Sequence, residues 1–166
     1  MRNLGVSVAL DFQVGNIVKD VVKDYNEGRL FVPLSILDAR QITPQILVNP
    51  KSQEELNRVM LARRDLEDIF RNNFDNSLDY LNALPNNGVK VFCADGLAYY
   101  TATVAATRNS NVFLSDEDRK ISKLEIFRMD RAVIRLTREG KSLTPFMYHL
   151  LNNTYVSGYK GAYKAA

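Results

Sequence analysis

The chain has 166 residues, 46% hydrophobic and 25% charged, a composition that excludes a disordered tail and a multidomain assembly and suits one soluble domain with a single core. No apolar stretch approaches the roughly 18 residues of a membrane span and no signal peptide opens the chain, so a cytoplasmic protein without membrane contact is expected. The net charge of +3 is uneven: residues 1–118 carry 12 Lys and Arg against 16 Asp and Glu, while residues 119–166 carry 10 against 3. That basic third offers a footprint to a polyanion, or is simply a solvated face. A lone cysteine, Cys93, excludes an internal disulfide, and with a lone histidine, His149, it cannot build a structural zinc site. Any metal is therefore expected on oxygen ligands.

In chain order, Gly5 to Leu10 is an apolar run of strand length ending on Asp11. Ile17, Val18, Val21 and Val22 then recur at helical spacing, with Lys19, Asp20, Lys23 and Asp24 on the opposite face and Asn26-Glu27-Gly28 as a stop. Leu30 to Leu37, containing Pro33, reads as a strand running into a helix near Asp38. Ser52 and Glu55 have the spacing of a capping box for a long helix, striped by Leu56, Val59, Met60, Arg63, Leu66, Ile69 and Phe70 and interrupted at Asn72-Asn73. Its interleaved arginines and carboxylates read as a salt-laced solvent face.

Pro85-Asn86-Asn87-Gly88 is a turn signal, and Val89 to Ala94 is a third expected strand, ending on Asp95. A helix rich in small residues follows, from Ala98 to Ala106; then a fourth strand, Val112 to Leu114, runs into Ser115-Asp116-Glu117-Asp118. From Ile121 to Leu151 the pattern fits a strand or helix and then a helix. His149 lies in an apolar helical run as a packed or surface residue, and Cys93 reads as core. Tyr155, Tyr159 and Tyr163 with Lys160 and Lys164 form an aromatic, basic tail suited to docking a partner or stacking on bases. Alternating strands and helices predict an α/β fold with a mostly parallel sheet.

Parallel strands present their carboxyl ends along one edge, where ligands bind. On that topology Asp11, Asp38, Asp95 and the Asp116–Asp118 cluster converge, although each alone is more readily a helix cap. Converging carboxylates repel one another unless a hard divalent cation neutralises them, and Mg2+ or Mn2+, completed by phosphate oxygens, meets that need. Metal-activated water would then hydrolyse a phosphodiester.

The stretches Val6 to Val14, Phe31 to Asp38, Ala94 to Ala102 and Phe113 to Ile121 resemble, in order, the four acidic motifs of the PIN-domain nuclease family. Gln13 stands where that family favours Asn, Asp38 replaces the usual glutamate, and the fourth motif carries an extra residue, leaving Asp116, Glu117 and Asp118 as alternatives. The resemblance covers about residues 4–125 of a single domain, with residues 126–166 as a basic extension. It implies a three-layer fold and an endoribonuclease, catalytic through Asp11, Asp38, Asp95, Asp116 and Asp118, with Mg2+ or Mn2+ on Asp11, Asp95 and Asp116 or Asp118. It further implies RNA or DNA as partner, a homodimer, and an antitoxin if the protein is a toxin. The alternative is an inactive PIN-like module that binds nucleic acid or protein, and a phosphatase or response-regulator-like pocket ranks last. Arg128, Arg131, Arg135 and Arg138 are then expected along the RNA backbone.

Overall fold

The computed structural model describes residues 2–117 and 120–153, with side chains from Gly5 onward. They form eight α-helices and no strand, so the expected α/β fold with a parallel central sheet is wrong: 78% of the described residues are helical. The run from Gly5 to Leu10 lies inside α1 (Arg2–Asn26), and Val89 to Ala94 opens α5 (Gly88–Ala106). The stretch around Pro33 leads into the short α2 (Leu34–Arg40), while Val112 and Phe113 finish α6 (Ser110–Phe113). The remaining helices are α3 (Pro44–Val48), α4 (Gln53–Ala83), α7 (Lys123–Arg138) and α8 (Thr144–Asn153).

Longer windows give the reason. In α1 the buried positions are Ser7, Val8, Asp11, Val14, Gly15, Ile17, Val18 and Val21, a 3.6-residue period that begins within the supposed strand. Six apolar residues cannot separate helix from strand, and tertiary packing overrides the β preference of valine. In α5 the Asn87 side chain accepts hydrogen bonds from the amides of Val89 and Lys90, satisfying the first-turn donors and committing the following apolar run to helix. The Ser52 cap of α4 is present as expected: its hydroxyl accepts from the Glu55 amide at 3.1 Å, and the Glu55 carboxylate accepts from the Lys51 amide at 2.6 Å. Asn72 and Asn73 do not interrupt α4; the Asn73 side-chain amide donates to the Ile69 carbonyl at 2.8 Å, one turn back along the helix.

The long α4 is the spine, burying Val59, Leu66, Phe70, Phe74, Leu78 and Leu81 in a core shared by every long helix. Gly5 beside Tyr80 and Asp11 beside Ser77 set α1 and α4 antiparallel. Phe12 at Gly96 and Gly15 at Tyr100 set α1 and α5 parallel. Asn86 beside Gly140 sets α5 against α7 in opposite directions.

The α1–α5 approach depends on glycine, since a Cβ at Gly15 would stand 2.5 Å from Tyr100 Cδ1 and 2.6 Å from Tyr100 Cβ. Tyr100 Cβ is tied to its backbone, so α5 itself must shift. At Gly96 the conflict is with the far edge of the Phe12 ring, 2.6 Å away at Cζ, which can swing aside. Gly15→Ala should thus lose about 1–2 kcal/mol despite better helix propensity, lowering Tm by roughly 2–8 °C in a thermal melt, and Gly96→Ala should lose less. A Gly15→Ala melt at or above the parent value would show that the contact is soft.

Candidate functional site

Without strands there is no common edge, and the expected carboxylates separate. Asp11 is fully buried between α1 and α4, its Oδ2 accepting from Ser77 Oγ at 2.5 Å and its Oδ1 unpartnered. Burial pushes its pKa up to about 7, with the Ser77 bond opposing. Asp38 is exposed on α2. Asp95, half-buried in α5, faces Asp130 of α7; burial and then the charge of Asp130 push it up to about 7, and burial also raises Asp130. Asp116 is exposed in the loop after α6, and Asp118 lies outside the described residues, as does the tyrosine-rich tail. Among the described residues no group of three or more His, Cys, Asp or Glu is placed to hold a metal ion. Among the described residues, Asp11, Asp38, Asp95 and Asp116 thus form no shared metal-holding group.

Charge gathers elsewhere, at the last two turns of α1. Lys19 Nζ lies 2.9 Å from Asp20, and four residues on the sequence repeats the Lys-Asp step at Lys23 and Asp24. The helix ends at Asn26, and Gly28, with a φ of +76°, supplies the left-handed turn that follows; the Arg29 amide returns to the Asp24 carbonyl at 2.8 Å and the Arg29 guanidinium reaches the Asp24 carboxylate at 2.8 Å. Asn26 and Glu27 complete this end. With Lys23 they line a groove whose other wall is Asp116 and Glu117.

Lys120, buried beside this groove, donates from Nζ to the Ser115 carbonyl. Burial pushes its ammonium down, while Asp20, Glu117 and Asp116 pull it back and Lys19 adds to the fall. Lys19 is driven the other way: burial would lower it, but the hydrogen bond and charge of Asp20 prevail and raise it. Tyr99 and Tyr100 of α5 stand against the same stretch, edge to face at 5.3 Å, with Tyr100 Oη donating to Asn16 Oδ1 at 3.3 Å. Burial raises the Tyr99 phenol and the charge of Lys19 counteracts it.

Asp20, Asp24 and Lys120 escape a reading that seeks acids at strand ends. The available signal is the doubled Val-Lys-Asp at residues 18–20 and 22–24, which puts two carboxylates and two ammonium groups one helical turn apart. Mixed charge at that spacing looks like ordinary solvent-facing polarity until the loop carrying Asp116, Glu117 and Lys120 is folded against it.

Residues 1–125 match the squalene/phytoene synthase family. No curated protein and no solved structure matches the chain. The match is to an all-helical family, and it overturns the PIN resemblance together with the nuclease, inactive PIN-like and toxin–antitoxin readings built on it. One expectation survives in coarser form: enzymes of this family use divalent metal ions held by acidic residues. No described helix is long and apolar enough to cross a membrane.

Proposed function

This chain belongs to the squalene/phytoene synthase family, and we propose that it binds a prenyl diphosphate, with the charged end of the ligand at the α1 terminus, and acts in prenyl transfer. The observation that carries this reading is the cluster of Lys19, Asp20, Lys23 and Asp24 facing Lys120, Asp116 and Glu117. A diphosphate needs cationic donors, and Lys19, Lys23, Lys120 and Arg29 offer them within one region. Carboxylates beside them have no use toward an anion unless a cation intervenes.

Mg2+ is commonly held by one or two carboxylates, with waters and substrate phosphates filling the other positions. Asp20 and Asp24, one turn apart, fit that donor set, and among the described residues no third carboxylate joins them in a metal-holding group. Bound there, the cation would neutralise diphosphate charge and favour its departure as a leaving group. The lysines would hold the phosphate oxygens, and the Asp24–Arg29 pair would keep the helix end closed around them. Tyr99 and Tyr100 would give the adjoining prenyl segment an aromatic wall.

Calorimetric titration with a prenyl thiodiphosphate tests this. Binding should require Mg2+, and Asp20→Asn with Asp24→Asn should weaken it at least about tenfold, with thermal melts verifying that the fold survives loss of the Lys19 and Arg29 ion pairs. Equal binding by the double variant, or none by the parent at millimolar ligand with Mg2+, would remove the site.

A further inference from the structure

We propose that the outer face of α7 is a docking surface for an anionic lipid membrane, which the helix meets lying flat. The helix has two unlike sides. Glu125, Met129, Ala132, Val133 and Leu136 are buried inward. Outward, Leu124 and Phe127 are each more than half exposed, at 56% and 55%, and Arg131 and Arg138 are exposed along the same stripe. Residues 124, 127, 131, 134 and 138 follow one another at three- and four-residue steps, so Leu124, Phe127 and Ile134 alternate with Arg131 and Arg138 down a single face. The Arg131 guanidinium lies 5.6 Å from the centre of the Phe127 ring, and Phe127, Arg131, Ile134, Arg135 and Arg138 line one continuous groove with Glu139.

Charge complementarity selects the occupant. Arg128 pairs with Glu125, and Arg135 pairs with Glu139, which also holds Lys141. Among the described residues no carboxylate pairs with Arg131 or Arg138, so two arginines remain for an external anion. A second copy of this chain applied through the same face would oppose like charges and is disfavoured. A nucleic acid would satisfy the arginines but leave Leu124, Phe127 and Ile134 without apolar contact. A lipid surface satisfies both sets: apolar tips enter the boundary of the acyl region while guanidinium groups, carried on their long stems, remain at the phosphates. No described helix is long and apolar enough to cross a bilayer, and the contact proposed is one of a helix lying on the membrane surface, which departs from the expectation of no membrane partner. It stands apart from the diphosphate reading, whose residues lie on α1, α5 and the 115–120 loop.

The full chain should co-sediment with vesicles of phosphatidylcholine containing phosphatidylglycerol, and much less with phosphatidylcholine alone. Arg131→Gln with Arg138→Gln should weaken partitioning roughly thirty-fold, at about 1 kcal/mol for each arginine near the surface. Phe127→Ser should weaken it at constant charge. Lys51→Gln with Arg64→Gln removes the same charge from exposed sites off this face and should leave partitioning within about threefold of the parent, with circular-dichroism melts verifying that every variant folds. Absence of anionic-vesicle binding overturns the proposal. So does an equal loss in the α7 and control pairs, or an unaltered Phe127→Ser isotherm, either of which reduces the effect to net charge and returns this face to nucleic acid or an acidic protein.

Discussion

Glu67→Ala should destabilise the fold by about 3–5 kcal/mol in urea unfolding, the largest loss expected from any single side chain here. Glu67 is only 6% exposed and receives three arginines. Arg63, itself 3% exposed, bonds Glu67 Oε2, and the same guanidinium donates to the Val104 carbonyl and to Thr107 Oγ1 at 3.3 Å. Arg71 donates to Oε1 at 2.8 Å, and Arg108 donates to Oε1 at 3.0 Å while also reaching the Leu151 carbonyl at 2.8 Å. One carboxylate thus ties α4 to the end of α5, the following turn and α8. Truncating it leaves the Arg63 charge buried without its counter-ion, which costs far more than a surface pair.

The same network has an acid signature. Burial alone would raise Glu67, but the hydrogen bonds and charges of Arg108, Arg63 and Arg71 outweigh it and bring the pKa down to about 2. A depressed carboxylate stabilises fully above its unfolded pKa near 4.5 and loses that contribution as pH falls toward 2, here on the order of 3 kcal/mol. Glu67→Gln should therefore lose the acid-sensitive part between pH 4.5 and 2, keeping one of the two accepting oxygens and setting an NH2 against an arginine donor in place of the other. A Glu67→Ala loss below about 1 kcal/mol would mean that the arginines find other partners or water.

How far the sequence carried its own answer can be judged residue by residue. The long α4, its Ser52 cap, the helical spacing of Ile17 to Val22 and the turn at Pro85–Gly88 are all legible, because caps and turns are local chemistry and a long period is unambiguous. The strands were not legible as helices because each apolar run is short, and because packing on both sides of α5 gives it hydrophobic residues nearly all round, which removes the amphipathic period. Strands at those runs would bring the acids after them together by topology alone. Arg63 shows the limit from the other direction: an arginine among carboxylates on a helix reads as a solvent pair, and only the arrival of Val104, Thr107 and Arg108 from residues far along the chain turns it into a buried node. The α1 terminus was visible as a repeated Lys-Asp step, but its meaning depends on Lys120, about a hundred residues later.

Asp11→Asn should change the pH dependence of stability strongly, and in the opposite direction to Glu67. Asp11 is 0% exposed and receives a single hydrogen bond, from Ser77, so its charge is poorly supported and burial lifts its pKa to about 7. In the unfolded chain the group ionises near 3.8. Between those values the folded state retains a proton that the unfolded state has released, so stability is fully present below about pH 4, falls as pH rises, and levels off above about pH 7. A shift of this size corresponds to a few kcal/mol, on the order of 4, spread over that window. The asparagine variant cannot ionise, so its unfolding free energy minus that of the parent should climb across pH 4–7. The buried amide adds its own desolvation cost of about 1–3 kcal/mol, but that offset is the same at every pH and leaves the slope untouched. The slope, measured by urea unfolding at several pH values, is therefore the quantity to read. Parent and variant curves that run parallel from pH 4 to 8 would mean that Asp11 is already ionised in the fold and that its unpartnered Oδ1 reaches solvent after all.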